Sequence, residues 1–292
     1  MDKNAETRNR NRQAWYWCAA AGVFGLMLFA GFLCWRTEKK QNIKAVIFGD
    51  SIIANHRGED SVADRICELT GIPLVNAAFG GSAMAKLDQE RHESMSADST
   101  AMVDSFAMVS LVRSVCANDF APQRQIHYND PAKTYFTDVV QELDQMNFDG
   151  VELILLSFGM NDYGAGTTLE NPENAYDEYT FGGALRTVLR FLKKTYPHCR
   201  IVLVSPPYSW YLEEEKSCEE KDFGGGFLFE YVELEKRIAM ENDVEMIDVY
   251  QDLYEKDSFD KWRVYTEDGV HPNEFGRELI SKKIATYLEE HP

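Results

Sequence analysis

Short apolar runs alternate along the chain with longer segments whose apolar positions recur every three or four residues, which predicts strands and helices in turn. Lys44 to Phe48 (KAVIF) reads as a first strand ending at Gly49. Ser61 to Leu69 is helical in pattern and stops at Gly71 and Pro73. Leu74 to Ala78 (LVNAA) is a second strand, followed by Gly80 and Gly81. Glu152 to Phe158 (ELILLSF) and Arg200 to Ser205 (RIVLVS) are strongly apolar and rich in aliphatic residues, as strands covered on both faces should be. Between them, Tyr179 to Tyr196 carries Leu185, Val188, Leu189 and Leu192 at helical spacing, with Pro197 as the stop. Val244 to Val249 reads as the last strand and Asn273 to Leu288 as a closing amphipathic helix. Such alternation implies a three-layer α/β/α domain around a mainly parallel five-stranded sheet.

Two stretches are longer than a usual crossover. Within 86–143, Thr100 to Cys116 and Thr134 to Met146 look helical, and the stretch is expected to form an inserted helical cap. The second, 206–229, mixes Tyr208, Trp210 and Tyr211 with an acidic run and Gly224 to Gly226; it is expected to be a mobile loop beside the site.

A different pattern marks the N-terminus. Ala14 to Trp35 contains no charge, is long enough to cross a bilayer of ~30 Å as a helix, and is flanked by Trp15, Tyr16, Trp17 and Trp35. The apolar stretch runs directly into Cys34-Trp35-Arg36 without a small-residue exit site, which favours an uncleaved transmembrane anchor over a signal peptide. The expected organisation is a cytoplasmic head at 1–13, an anchor at 14–35, a linker at 36–43 and a domain at 44–292 placed outside the cell membrane.

Charge narrows the partners. Residues 1–43 hold seven of the basic and three of the acidic residues, leaving 23 basic against 45 acidic residues and a net charge of −22 in the domain. A surface of that sign repels nucleic acid at long range. His56, His92, His127, His198 and His291 show no metal-ligand spacing with acids or cysteines, so surface or packing roles are expected of them. Cys67, Cys116, Cys199 and Cys218 lie in the domain and could form up to two bridges, with the pairing open.

Four short motifs fall at or near the ends of expected elements, where open parallel sheets bind their ligands. Gly49-Asp50-Ser51 allows a tight strand-to-helix turn that exposes a hydroxyl. At Gly80-Gly81 a missing side chain lets a backbone N–H approach a developing oxyanion. Asn161, in Gly159-Met160-Asn161-Asp162, can direct an amide into the same space. Asp268 and His271, three apart in a turn, allow a carboxylate to orient an imidazole that faces Ser51.

In their order, FGDSI, NAAFGGS, FGMND and DGVHP resemble the four blocks of the SGNH hydrolase superfamily, the GDSL-like esterases and lipases, over roughly residues 44–290. The chain is identified as a membrane-anchored, bacterial-type member of that family. The resemblance implies a flavodoxin-like sheet, Ser51 as nucleophile, His271 as base and Asp268 as its partner. It also implies an oxyanion hole formed by the N–H of Ser51, a glycine N–H and the side chain of Asn161, and it implies no metal and no cofactor. Counting from Asn76 favours Gly81 as that glycine, with Gly80 as its neighbour.

The expected activity is hydrolysis of small-molecule or carbohydrate esters, notably short O-acetyl esters, through an acyl-enzyme. A lysophospholipase, lipase, thioesterase or acyltransferase would use the same residues. A non-catalytic binding protein of the same fold is the reading from another class. Oligomeric state is left open.

Overall fold

A computed structural model describes residues 44–87, 104–126 and 133–292. The anchor expected at 14–35, its head and linker, His92 and His127 lie outside the described residues.

Five parallel strands form the main sheet in the order β2-β1-β3-β4-β7. They are β1 (Ala45–Gly49), β2 (Leu74–Asn76), β3 (Leu153–Ser157), β4 (Arg200–Val204) and β7 (Glu245–Ile247). The helices, in chain order, are α1 (Ser51–Ala54), α2 (Val62–Thr70), α3 (Met108–Ala117), α4 (Ala121–Arg124) and α5 (Tyr135–Gln145). There follow α6 (Met160–Gly164), α7 (Phe181–Thr195), α8 (Leu228–Glu241), α9 (Trp262–Tyr265) and α10 (Glu274–Glu290).

The two-residue period of a strand splits the aliphatic runs between two apolar layers. Val46, Phe48, Ile154, Leu156 and Leu203 pack with α3, α5, α7 and α8. Ile47, Leu155, Val202 and Val204 pack with α2 and α10 on the other face. This is the three-layer arrangement read from the alternation. Ser61 caps α2 by accepting from the Asp64 N–H, and Gly71 closes it in the left-handed conformation.

The described part of 86–143 differs from the cap expected there. Phe106, Met108, Leu111, Val112 and Val115 are buried in the sheet's own core, against the layer that contains Leu185 and Val188 of α7. The described part therefore includes a covering layer of the sheet, the apolar face of α3 meeting sheet-facing helices, while Tyr135 at the start of α5 reaches Gly80 beside the site. The stretch 206–229 also departs from a loose loop. It contains an antiparallel hairpin of β5 (Trp210–Tyr211) and β6 (Lys216–Ser217), and Tyr208, Trp210 and Cys218 are buried. Its aromatic residues belong to the core, as the stacking of Trp210 on Tyr254 and Tyr265 shows.

Cys67, Cys116, Cys199 and Cys218 are all free thiols. Burial pushes the Cys199 thiol up to about 12 and that of Cys218 to about 11, so both stay protonated at neutral pH.

Gly49 pairs with Ser157 in the register of β1 and β3, so the segments carrying Ser51 and Asn161 leave the same edge of the sheet. The site is built on that edge.

Candidate active site

Ser51 is the first residue of α1, directly after Asp50, whose carboxylate accepts from the Ile52 N–H at 2.9 Å. That bond holds the strand-to-helix turn. The Ser51 Oγ lies 3.0 Å from the His271 Nε2, and the His271 Nδ1 lies 2.6 Å from an Asp268 carboxylate oxygen. A hydroxyl, an imidazole and a carboxylate thus form one hydrogen-bonded line.

The turn that carries His271 is cross-bonded within a few residues. The Asp268 Oδ1 accepts from the N–H groups of Val270 (3.0 Å) and His271 (2.8 Å), and Glu267 N–H donates to the His271 carbonyl at 2.8 Å. Gly269 has φ +93°, and a Cβ there would sit 2.2 Å from the Trp210 carbonyl oxygen, so this corner accepts only glycine. Trp210 N–H in turn donates to the Gly269 carbonyl at 2.8 Å, tying the β5–β6 hairpin to the turn. Arg277, buried on α10, donates to the carbonyls of Pro272 and Asp60 at 3.0 and 2.9 Å. Burial alone would raise the Asp268 carboxyl, but the His271 ring and the two N–H donors outweigh it and hold the group below its ordinary value. It is an anion at neutral pH, fit to orient and stabilise an imidazolium.

Opposite this turn lies the loop after β2. Asn161 donates from Nδ2 to the Ser82 carbonyl at 2.9 Å, which fixes its amide against the loop and leaves a second N–H. The buried Asp162 accepts from the N–H groups of Met84 (2.8 Å) and Ala85 (2.9 Å), so α6 and the loop are clamped together. The Gly80 N–H is taken by the Tyr135 hydroxyl at 2.8 Å. Gly81, at φ +83°, has an N–H with no acceptor among the described residues, and the Ser51 N–H has none either. A Cβ placed on Gly80 would lie 3.9 Å from the Ser51 Cβ, which brings the loop against the hydroxyl.

The sequence-derived residues therefore converge: Ser51, His271 and Asp268 by direct bonds, Gly81 and Asn161 through the loop they share. Tyr135, Arg57 and Arg277 escaped notice in the sequence, and Asp162 was named only as part of its block. Arg57 donates to the Asn76 and Ala78 carbonyls at 3.0 and 2.7 Å and lies over the Tyr135 ring at 4.7 Å. Only Asp162 had a local signal, its place beside Asn161 at a strand end.

Two buried acids sit close to the site. Burial pushes the Asp50 carboxyl up to about 7, against the Ile52 N–H, and the Asp162 carboxyl to about 6, against the two N–H groups it accepts.

The model of the GDSL-like lipase/acylhydrolase family matches residues 47–279. Comparison with curated proteins finds no significant match. Among solved structures, a Lactobacillus plantarum protein is similar at TM-score 0.58 and 18% identity, covering 85% of this chain and 97% of its own. A possible lipase from Chitinophaga pinensis follows at 0.53 and 13%, covering 85% and 98%. A carbohydrate acetylesterase from Sinorhizobium meliloti stands at 0.51 and 14%, covering 85% and 99%. These likenesses are of fold, whereas the family match spans most of the sequence and all four blocks. The chain belongs to the GDSL-like lipase/acylhydrolase family and is a serine hydrolase acting on ester bonds.

Proposed function

We propose that this protein is a membrane-anchored esterase that removes short acyl groups, notably O-acetyl groups, from carbohydrate outside the cell membrane. His271 takes the Ser51 proton as Oγ attacks the ester carbonyl, and Ser51 N–H, Gly81 N–H and the Asn161 amide receive the oxyanion. The alcohol departs with the proton from His271. Water, deprotonated by the same ring, then releases the acid and restores Ser51.

The observation that carries the reading is the line from Ser51 Oγ through His271 to Asp268, at 3.0 and 2.6 Å. Gly81 is preferred to Gly80 because the Gly80 N–H already has an acceptor. The short-acyl preference rests on the glycine-flanked loop packed against Ser51, where a Cβ on Gly80 would lie 3.9 Å from the Ser51 Cβ, and on the acidic exterior. The fold similarity to a carbohydrate acetylesterase points the same way. The anchor rests on the uncharged stretch from Ala14 to Trp35.

The test is an acyl-length series on one alcohol with the full chain in detergent, run beside acetate release from acetylated xylan. The proposal expects acetyl to be turned over fastest and acetate to be released. Faster turnover of long-chain lysophospholipid than of any acetyl ester would contradict it.

A further inference from the structure

Seven described lysines, Lys44, Lys86, Lys221, Lys236, Lys256, Lys261 and Lys282, make ion pairs, as a domain with nearly twice as many acids as bases invites. Lys133, just before α5, has no acidic partner among the described residues. Its ammonium instead lies 3.9 Å from the position a Cβ on Gly81 would occupy, beside the glycine whose N–H is unengaged. The ammonium also lies 5.8 Å from the Phe136 ring. Lys133 is half-buried, so its charge is less well screened than that of a fully exposed lysine.

A second cation, Arg57, reaches the same loop, but its charge is met by Glu142, Asp64 and Asp138. Arg57 stacks on Tyr135 and spends its donors on the backbone carbonyls of Asn76 and Ala78. Tyr135, two residues from Lys133, is itself bonded to Gly80, so the start of α5 is fixed against this loop. An ammonium held next to an oxyanion glycine, in a domain of net charge −22, has one chemical use that neutral esters do not need.

We propose that Lys133 forms a cationic subsite for a carboxylate or phosphate carried by the alcohol half of the ester, so that the preferred substrate is an acylated acidic carbohydrate. This rests on the reading of Ser51 as nucleophile. The alcohol half is assigned because the acyl group of the proposed substrate is short. Domain-wide repulsion of anions makes a local cation necessary: without it, an acidic substrate would be disfavoured at the loop where its ester must bind.

The experiment compares kcat/KM of the full chain on 3-acetoxybenzoate, whose anion is on the alcohol half, on neutral phenyl acetate, and on monophenyl succinate, whose anion is on the acyl half. The ratio of 3-acetoxybenzoate to phenyl acetate should fall about tenfold in Lys133→Gln, mainly through KM, as loss of a charged hydrogen bond implies. It should fall further in Lys133→Glu, and in the unaltered protein it should shrink as salt is raised. Unchanged ratios in both variants would overturn the subsite, and a charge effect confined to monophenyl succinate would overturn its assignment to the alcohol half. Labelling of Ser51 by a fluorophosphonate separates the two readings. A labelled protein with unchanged ratios refutes Lys133 alone, whereas failure to label Ser51 in the unaltered protein refutes both.

Discussion

The two sides of the site are built differently. The base side, residues 266–273, is held chiefly by bonds within the turn, Asp268 to Val270 and His271, Glu267 to His271, and Gly269 to the Thr266 hydroxyl, with Trp210 as a distant partner. The acceptor side is held from far along the chain. Gly80 depends on Tyr135, Ser82 on Asn161, and Met84 and Ala85 on Asp162. Local closure orients an imidazole cheaply, because a short loop costs little entropy to close. A pocket for negative charge needs donors from several directions, and no single turn supplies them.

Variants on each side would sharpen or break this contrast. On the base side, His271→Ala removes the proton acceptor and should lower kcat by on the order of 10⁴ or more, measured on p-nitrophenyl acetate. On the acceptor side, Asn161→Ala should lower kcat by about 10²–10³ with KM little changed, since the lost donor acts in the transition state. If Asn161→Ala raised KM and left kcat alone, the amide would be binding substrate instead of the oxyanion.

These sides also differ in how far they could be read from sequence. The apolar runs gave away β1, β3 and β4, since a strand buried on both faces must be aliphatic throughout. Asp268 to His271 was legible because its partners are three residues apart and Gly269 fills the corner. Tyr135 was not, because it meets Gly80 across 55 residues and nothing near either residue records the pairing. The layer formed by α3 was taken for a cap for a related reason: an amphipathic pattern shows that a face is buried but not against what. Trp210 and its neighbours read as loop aromatics because their stacking partners, Tyr254 and Tyr265, lie far downstream.

A smaller change probes the long-range hold directly. Tyr135→Phe leaves the Gly80 N–H without its acceptor, and a net loss of roughly 0.5–1.5 kcal/mol in the loop's order corresponds to about a two- to tenfold fall in kcat. A fall as large as that of Asn161→Ala would place the Tyr135 hydroxyl among the groups that touch substrate.

The smallest effect concerns stability. Asp50 has a carboxyl raised to about 7 by burial, so the folded protein binds a proton there that the unfolded chain releases near its ordinary value. Stability from this group is therefore greatest at low pH and declines as pH rises from about 4 through 7. Asp50→Asn keeps an oxygen acceptor for the Ile52 N–H and should flatten that decline, measured as melting temperature against pH. An unchanged slope would show that Asp50 is ionised in the folded protein throughout the range.

The most direct measurement is the site of covalent capture by a fluorophosphonate in the full chain, read by peptide mass spectrometry. One adduct is expected, on Ser51, forming quickly in the unaltered protein, slowly in His271→Ala and not at all in Ser51→Ala. An adduct on another residue, or equal rates of Ser51 capture with and without His271, would contradict that expectation.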